Sequence, residues 1–208
     1  MIINNIPKLL SISIMAHPSR ARFFPYLLKR LGYDTPISID EKSEGVWPNC
    51  RRAWQMHDKN SLYHLVVQDD AIVCENFRER AEAAIQDMIK RGFSGHALNF
   101  YFGGRKSNQE EGKRGLERGF LTKHSPSWGV AICLETRWID EMLEYTKRFD
   151  TWRDDERIAG FLAHKQIRSY FPMPSLIDHR GGAETPSLVG DPGDKRFAFA
   201  FIDNLKKS

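Results

Sequence analysis

Apolar residues recur along the chain in two alternating rhythms. Short, nearly continuous runs such as Ile12-Ser13-Ile14-Met15, Ile37-Ser38-Ile39, Leu65-Val66-Val67 and Ala131-Ile132-Cys133-Leu134 have the length and β-branched content of buried strands. Between them lie stretches with helical spacing. The clearest is 75–90, where Phe77, Ala81, Ala84, Ile85, Met88 and Ile89 share one face. This pattern predicts strands over 11–15, 36–40, 62–67, 97–102, 128–134 and 167–171. It predicts helices over 22–30, 48–56, 75–90, 135–148 and 154–164. Ser19 is a candidate N-cap for the first helix, and Pro25 fits only in that helix's first turn. Strands alternating with helices imply an α/β fold, with a mostly parallel sheet flanked by helices.

The rhythm fails twice. Residues 103–119 are polar and glycine-rich, with Arg105, Lys106, Lys113, Arg114 and Arg118 set among Glu110, Glu111 and Glu117. A connection this long inside a domain is uncommon unless it is functional or disordered, so it reads as a mobile loop, on the acceptor side of the site if the chain transfers a group. Residues 172–208 carry four prolines and four glycines and read as an irregular C-terminal segment closing the site. No internal repeat and no linker divides the 208 residues, so a single domain over 1–208 is expected.

Composition adds little to this picture. Hydrophobic residues make up 41%, an ordinary globular share, and the formal net charge of +4 suits an anionic substrate. Three cysteines without a CxxC pair fit a reduced, cytoplasmic protein. The apolar start has no basic n-region and no small-residue cleavage site, and no run is long enough to span a bilayer. Trp47 and Trp54 are expected in packing.

The chemistry is concentrated in three places. Leu65-Val66-Val67 drives into Gln68-Asp69-Asp70. A strand ending in paired carboxylates delivers hard oxygen ligands to the sheet's carboxyl edge, where open α/β sheets bind ligands. Mg²⁺ and Mn²⁺ favour carboxylates combined with substrate phosphates. The second place is Asp154-Asp155-Glu156, at a helix start, where acids either cap the helix or serve as a general base. The third is Pro174-Ser175-Leu176-Ile177-Asp178-His179, a histidine after a strand, beside Gly181-Gly182, able to add a nitrogen ligand.

In this order the three elements resemble the GT-A (Rossmann-like) glycosyltransferases, especially the short bacterial and phage types and the lipooligosaccharide-type sugar transferases. The resemblance spans nearly the whole chain. It implies that Mn²⁺ or Mg²⁺ binds the diphosphate of a nucleotide-sugar, most readily a UDP-sugar, through Asp70 first, then Asp69, with His179 completing the site. It implies Asp155 as the catalytic base, with Asp154 next. The loop after the first strand, His17, Pro18 and Arg20, would cradle the nucleoside together with Asp40 and Asp69. Arg51 and Arg52 on the next helix would reach phosphate. This chain has Gln68-Asp69-Asp70 where the family has Asp-x-Asp. The expected activity is hexosyl or glycosyl transfer to an acceptor hydroxyl, inverting if Asp155 is in line. The acceptor is a hydroxymethylated pyrimidine in phage DNA, or alternatively lipopolysaccharide or another glycan. A nucleotidyltransferase is disfavoured because Ala16-His17-Pro18-Ser19-Arg20 lacks a glycine-rich loop. A non-catalytic nucleic-acid-binding module is disfavoured by three acidic clusters at sheet edges.

Overall fold

The computed structural model describes residues 8–126, 128–180 and 196–205. Its elements, in chain order, are β1 (Lys8–Ala16), α1 (Phe24–Leu31), β2 (Ile37–Ile39), α2 (Val46–Gln55), β3 (Ser61–Gln68), β4 (Ala71–Val73), α3 (Phe77–Lys90) and β5 (Ala97–Asn99). Then follow α4 (Gln109–Arg118), β6 (Phe120–Lys123), β7 (Ala131–Glu135), α5 (Ile139–Tyr145), α6 (Asp154–His164), β8 (Ser169–Pro172), β9 (Ile177–His179) and α7 (Ile202–Leu205). Single 3₁₀ turns precede α1, α4 and α5 and follow α5.

Seven strands form one sheet in the order β2-β1-β3-β7-β5-β8-β6. β2, β1, β3, β5 and β8 run in one direction, and β7 and β6 oppose them. The sheet is therefore mixed, with most strands aligned, and it is flanked by helices in a single α/β domain.

Strand alternation explains the two cores. Leu10, Ile12 and Ile14 of β1, Leu65 and Val67 of β3, and Ala131 and Cys133 of β7 face one way. They pack with Leu27 and Leu31 of α1 and Phe77, Ala81, Ile85 and Met88 of α3. The intervening Val66, Ile132 and Leu134 face the other way, onto Ala53 and Trp54 of α2, Ile139 and Met142 of α5, and Ile158, Phe161 and Leu162 of α6. Trp54 is fully buried there, and Trp47 packs at the edge, as expected.

On that second face Ser11 and Ser13 would leave buried hydroxyls, but both meet His64. Ser11 Oγ lies 2.9 Å from Nδ1 and Ser13 Oγ lies 3.1 Å from Nε2. Burial lowers the His64 pKa to about 3, so the ring is neutral and structural.

Four expectations need revision. The helix expected over 22–30 is a 3₁₀ turn, Pro18–Phe23, followed by α1, and its N-cap is His17 rather than Ser19. The strand expected over 128–134 starts later, at Ala131, because Trp128 and Gly129 leave the sheet to line a cleft. The expected loop 103–119 holds the helix α4. Its glycines let it lie flat: a Cβ on Gly112 would stand 2.6 Å from the Phe199 ring, and one on Gly115 would stand 2.6 Å from Leu121.

The C-terminal segment is not wholly irregular either. β9 pairs with β4 in a separate two-stranded sheet, and α7 follows a docked stretch. Residues 181–195 and 206–208 of that expectation lie outside the described residues.

Candidate active site

β1 and β3 are adjacent and parallel, so their carboxyl ends open side by side. Asp69 N–H donates to Met15 O at 3.0 Å, which ties the turn after β3 to the end of β1. The Asp69 carboxylate accepts from His17 N–H at 2.7 Å through Oδ2 and from Arg20 Nη1 at 2.8 Å through Oδ1. Arg20 Nη1 also meets Asp70 Oδ2 at 2.9 Å.

β4 follows directly, and its antiparallel register with β9 sets Ala71 opposite His179. That register brings His179 Nε2 to 3.4 Å from Asp70 Oδ2. Asp178, one residue earlier, accepts the His179 N–H at 2.8 Å and the Ala198 N–H at 2.5 Å, fixing the strand end to the C-terminal stretch.

The second acidic cluster arrives on α6. Glu156 Oε2 accepts the Arg153 N–H at 2.9 Å and so completes a capping box. Asp155 Oδ1 takes a further first-turn amide, Glu156 N–H, at 3.0 Å. Asp154 and Asp155 face a cleft of ≈ 310 Å³ that is also lined by Arg20, Gln68, Asp69, Asp70 and His179.

Gln68 Nε2 donates to Asp154 Oδ2 at 3.3 Å. On another wall the Arg105 guanidinium lies 4.2 Å from the centre of the Trp128 ring. The fully buried Asn99 holds the chain leading to that ring, donating to Pro126 O at 2.6 Å and Trp128 O at 2.9 Å.

The electrostatics separate the carboxylates. Burial pushes Asp70 up, but the hydrogen bond and charge of His179, with Arg20, more than offset it and hold Asp70 below the usual carboxylate range. Burial raises Asp69 despite His17 and Arg20. It raises Asp154 to about 6, with neighbouring Asp155 adding to the shift, and it raises Asp155 as well.

A divalent cation fits these residues on two counts. Asp70 Oδ1 is buried without a hydrogen-bond partner among the described residues, as is His179 Nδ1. One carboxylate and one imidazole, with remaining positions left to phosphate and water, is a donor set that Mg²⁺ or Mn²⁺ accepts. Among the described residues no three His, Cys, Asp or Glu side chains form a ready-made cage. Asp69 has both oxygens engaged by His17 and Arg20, so in this arrangement it braces the turn rather than offering a ligand.

Other expected site residues stand apart from the cleft. Asp40 accepts Glu44 N–H at 2.8 Å and Gly45 N–H at 3.0 Å, a turn-closing role that occupies both oxygens. Arg51 is exposed on the outer side of α2, near Glu144 of α5, and Arg52 pairs with Glu44. Pro18 starts the 3₁₀ turn, and the His17 ring caps it through Ser19 N–H at 3.2 Å.

Sequence reasoning missed Gln68, Trp128, Gly129, Arg153 and Arg196 as cleft residues. The Trp-Gly pair beside an apolar run was the available signal.

No protein-family model matches the sequence, and no curated protein matches it. Among solved structures, one similar chain is a Drosophila β-1,4-galactosyltransferase 7 variant, in complex with manganese, UDP-Gal and xylobiose. It is 9% identical, with a TM-score of 0.43, and the alignment covers 95% of this chain and 74% of that one. Among the described residues no helix is long and apolar enough to cross a membrane.

Proposed function

We propose that the protein is a metal-dependent glycosyltransferase that moves a sugar from a nucleotide-sugar, a UDP-sugar by preference, to an acceptor hydroxyl. The observation that carries this reading is convergence. Asp69-Asp70, Asp154-Asp155 and His179 are far apart in sequence and line one cleft.

Asp70 and His179 would hold Mn²⁺ or Mg²⁺, whose charge would favour departure of the diphosphate. Arg20, braced between Asp69 and Asp70, presents a cation on the same wall. The His17 N–H, held by Asp69 Oδ2, fixes the turn that carries Arg20 to that wall. Asp155 takes the proton of the acceptor hydroxyl as its oxygen bonds to the anomeric carbon. The bond from that carbon to phosphate oxygen breaks, and its electron pair leaves with the nucleoside diphosphate. This one-step displacement inverts the anomeric centre.

For the acceptor we favour a hydroxymethylated pyrimidine in DNA. Arg105, Arg153 and Arg196 line the cleft, and Lys106, Lys113 and Arg114 follow Arg105 on an exposed surface suited to phosphate. In this reading 103–119 is an acceptor-side element, and the stretch around Arg196 closes the site.

Calorimetry with UDP and Mn²⁺ tests the donor half. Asp70→Asn should abolish the metal-dependent part of the affinity and leave the fold intact. His179→Ala should weaken it less, because one nitrogen ligand among several oxygens is lost. Unchanged metal-dependent affinity in Asp70→Asn would remove the metal assignment. A panel of nucleotide-sugars with Mn²⁺, with and without hydroxymethylated DNA, then identifies donor and acceptor.

A further inference from the structure

Gln68 is the last residue of β3 before the Asp69-Asp70 turn, yet its side chain reaches sideways, away from that turn. Its Nε2 donates to Asp154 Oδ2 at 3.3 Å, and its backbone N–H donates to Val130 O at 3.0 Å, which fixes where the side chain begins. Gly129 covers the pair. A Cβ there would stand 3.2 Å from Asp154 Oδ2 and 3.2 Å from Gln68 Nε2, so a larger residue would press on the pair.

Asp154 also faces Asp155 on its own helix and the buried thiol of Cys50 on α2, with Arg153 before it and Arg157 after it along α6. Two neighbouring carboxylates in a half-dry cleft repel each other. A neutral amide steadies the charged form of one without placing another charge beside the diphosphate.

We propose that Gln68 is a positioning residue: its amide anchors Asp154 and leaves Asp155 as the carboxylate that meets the acceptor hydroxyl. The next residue in the chain is Asp69, so the anchor also registers the base end of the cleft against the donor end through one stretch of backbone. The catalytic consequence rests on the glycosyltransferase reading; the anchoring itself does not.

Gln68→Met keeps the length of the side chain and removes the donor. Gln68→Asn keeps an amide but withdraws it by one methylene, and it should behave alike. In the full chain, carbon-detected NMR follows the Asp154 carboxyl through its titration. Because the lost hydrogen bond favoured the charged form, both variants should titrate at higher pH than wild type. An unmoved Asp154 midpoint in both variants overturns the anchor.

The second readout is hydrolysis of UDP-glucose with Mn²⁺. Gln68→Met should lower kcat about tenfold, the scale of one hydrogen bond to a charged group, with the donor KM unchanged. Adding Asp154→Asn should cost nothing further, since both changes remove the same contact. A raised donor KM with kcat intact would make Gln68 a donor contact instead and overturn the proposal, as would fully multiplicative losses. If wild type hydrolyses no nucleotide-sugar while the Asp154 midpoint still moves, the glycosyltransferase reading fails and the anchor stands.

Discussion

Asp154 and Asp155 are neighbours on the first turn of α6, yet their surroundings divide them. Asp154 is buried, and its carboxylate is tied to Gln68 on the sheet. Asp155 is partly open to the cleft and accepts local backbone bonds, Glu156 N–H at 3.0 Å among them. A general base has to be reached by the acceptor, so Asp155→Asn should lower kcat roughly 10²–10⁴-fold with little change in donor affinity. Burial raises the pKa of Asp155, and the base works only when ionised. Activity should therefore fall as pH drops through a range above that of an ordinary aspartate, and Asp155→Asn should erase that acidic limb. Measuring kcat against pH for both asparagine variants decides the assignment: a crippled Asp154→Asn beside a near-normal Asp155→Asn would exchange their roles. At this scale the sequence was readable wherever a residue's position along its element settles its place. Asp70 follows a buried strand, Asp155 opens a helix, and both line the cleft. It was unreadable where a turn consumes the side chain. Asp40 also ends a strand, but two backbone amides of the following turn take its carboxylate.

The element hardest to foresee was α4. Its ten residues include two glycines that offset its helix-forming Gln, Glu, Lys and Arg, and its single large apolar side chain, Leu116, is exposed, so no apolar stripe announces a helix. The helix exists because Gly112 and Gly115, one turn apart, let its backbone come down onto Phe199 and Leu121. That explanation has a cost that can be measured. Gly112→Ala gains helix propensity but drives a methyl into the Phe199 ring, and overpacking of this kind costs about 1–3 kcal/mol. The substitution should lower stability in denaturant titrations, and Phe199→Ala in the same chain should recover part of the loss. Stabilisation by Gly112→Ala alone would mean that α4 does not rest on that ring. The long helix α3 was legible for the opposite reason: its buried face, Phe77, Ala81, Ile85 and Met88, repeats at helical spacing with no glycine.

For the whole molecule, alternating strands and helices disclosed the α/β class, but not the pairing that makes the site. The short β4–β9 ladder joins distant parts of the chain and carries no periodic signal in three residues a side, yet it sets His179 beside Asp70, and Arg180 N–H donates to Asp70 O at 2.9 Å just beyond it. The C-terminal stretch then locks this corner. Tyr101 Oη–H donates to Arg196 O at 2.7 Å, Gly104 N–H to Phe197 O at 2.8 Å and Phe199 N–H to Phe102 O at 2.7 Å.

The same corner begins the basic run, and the structure grades its charges. Arg105 lies in the cleft against Trp128, whereas Lys113 is held by Glu110 at 2.9 Å on the open surface, where such pairs contribute little. If this face meets DNA, binding should weaken steeply with salt, each phosphate contact adding roughly 0.9 to the slope of log affinity against log salt. Replacing Lys106, Lys113 and Arg114 with alanine should flatten that slope and spare donor hydrolysis, because none of the three lines the cleft. Arg105→Ala should instead lower transfer to DNA at every salt concentration, since it acts inside the cleft. Fluorescence anisotropy with a hydroxymethylated duplex across a salt series reads the slope, and sugar transfer to the same duplex reads the Arg105 effect. An unchanged slope in the triple variant would take α4 out of acceptor binding, and wild-type indifference to such DNA would move the acceptor to a glycan.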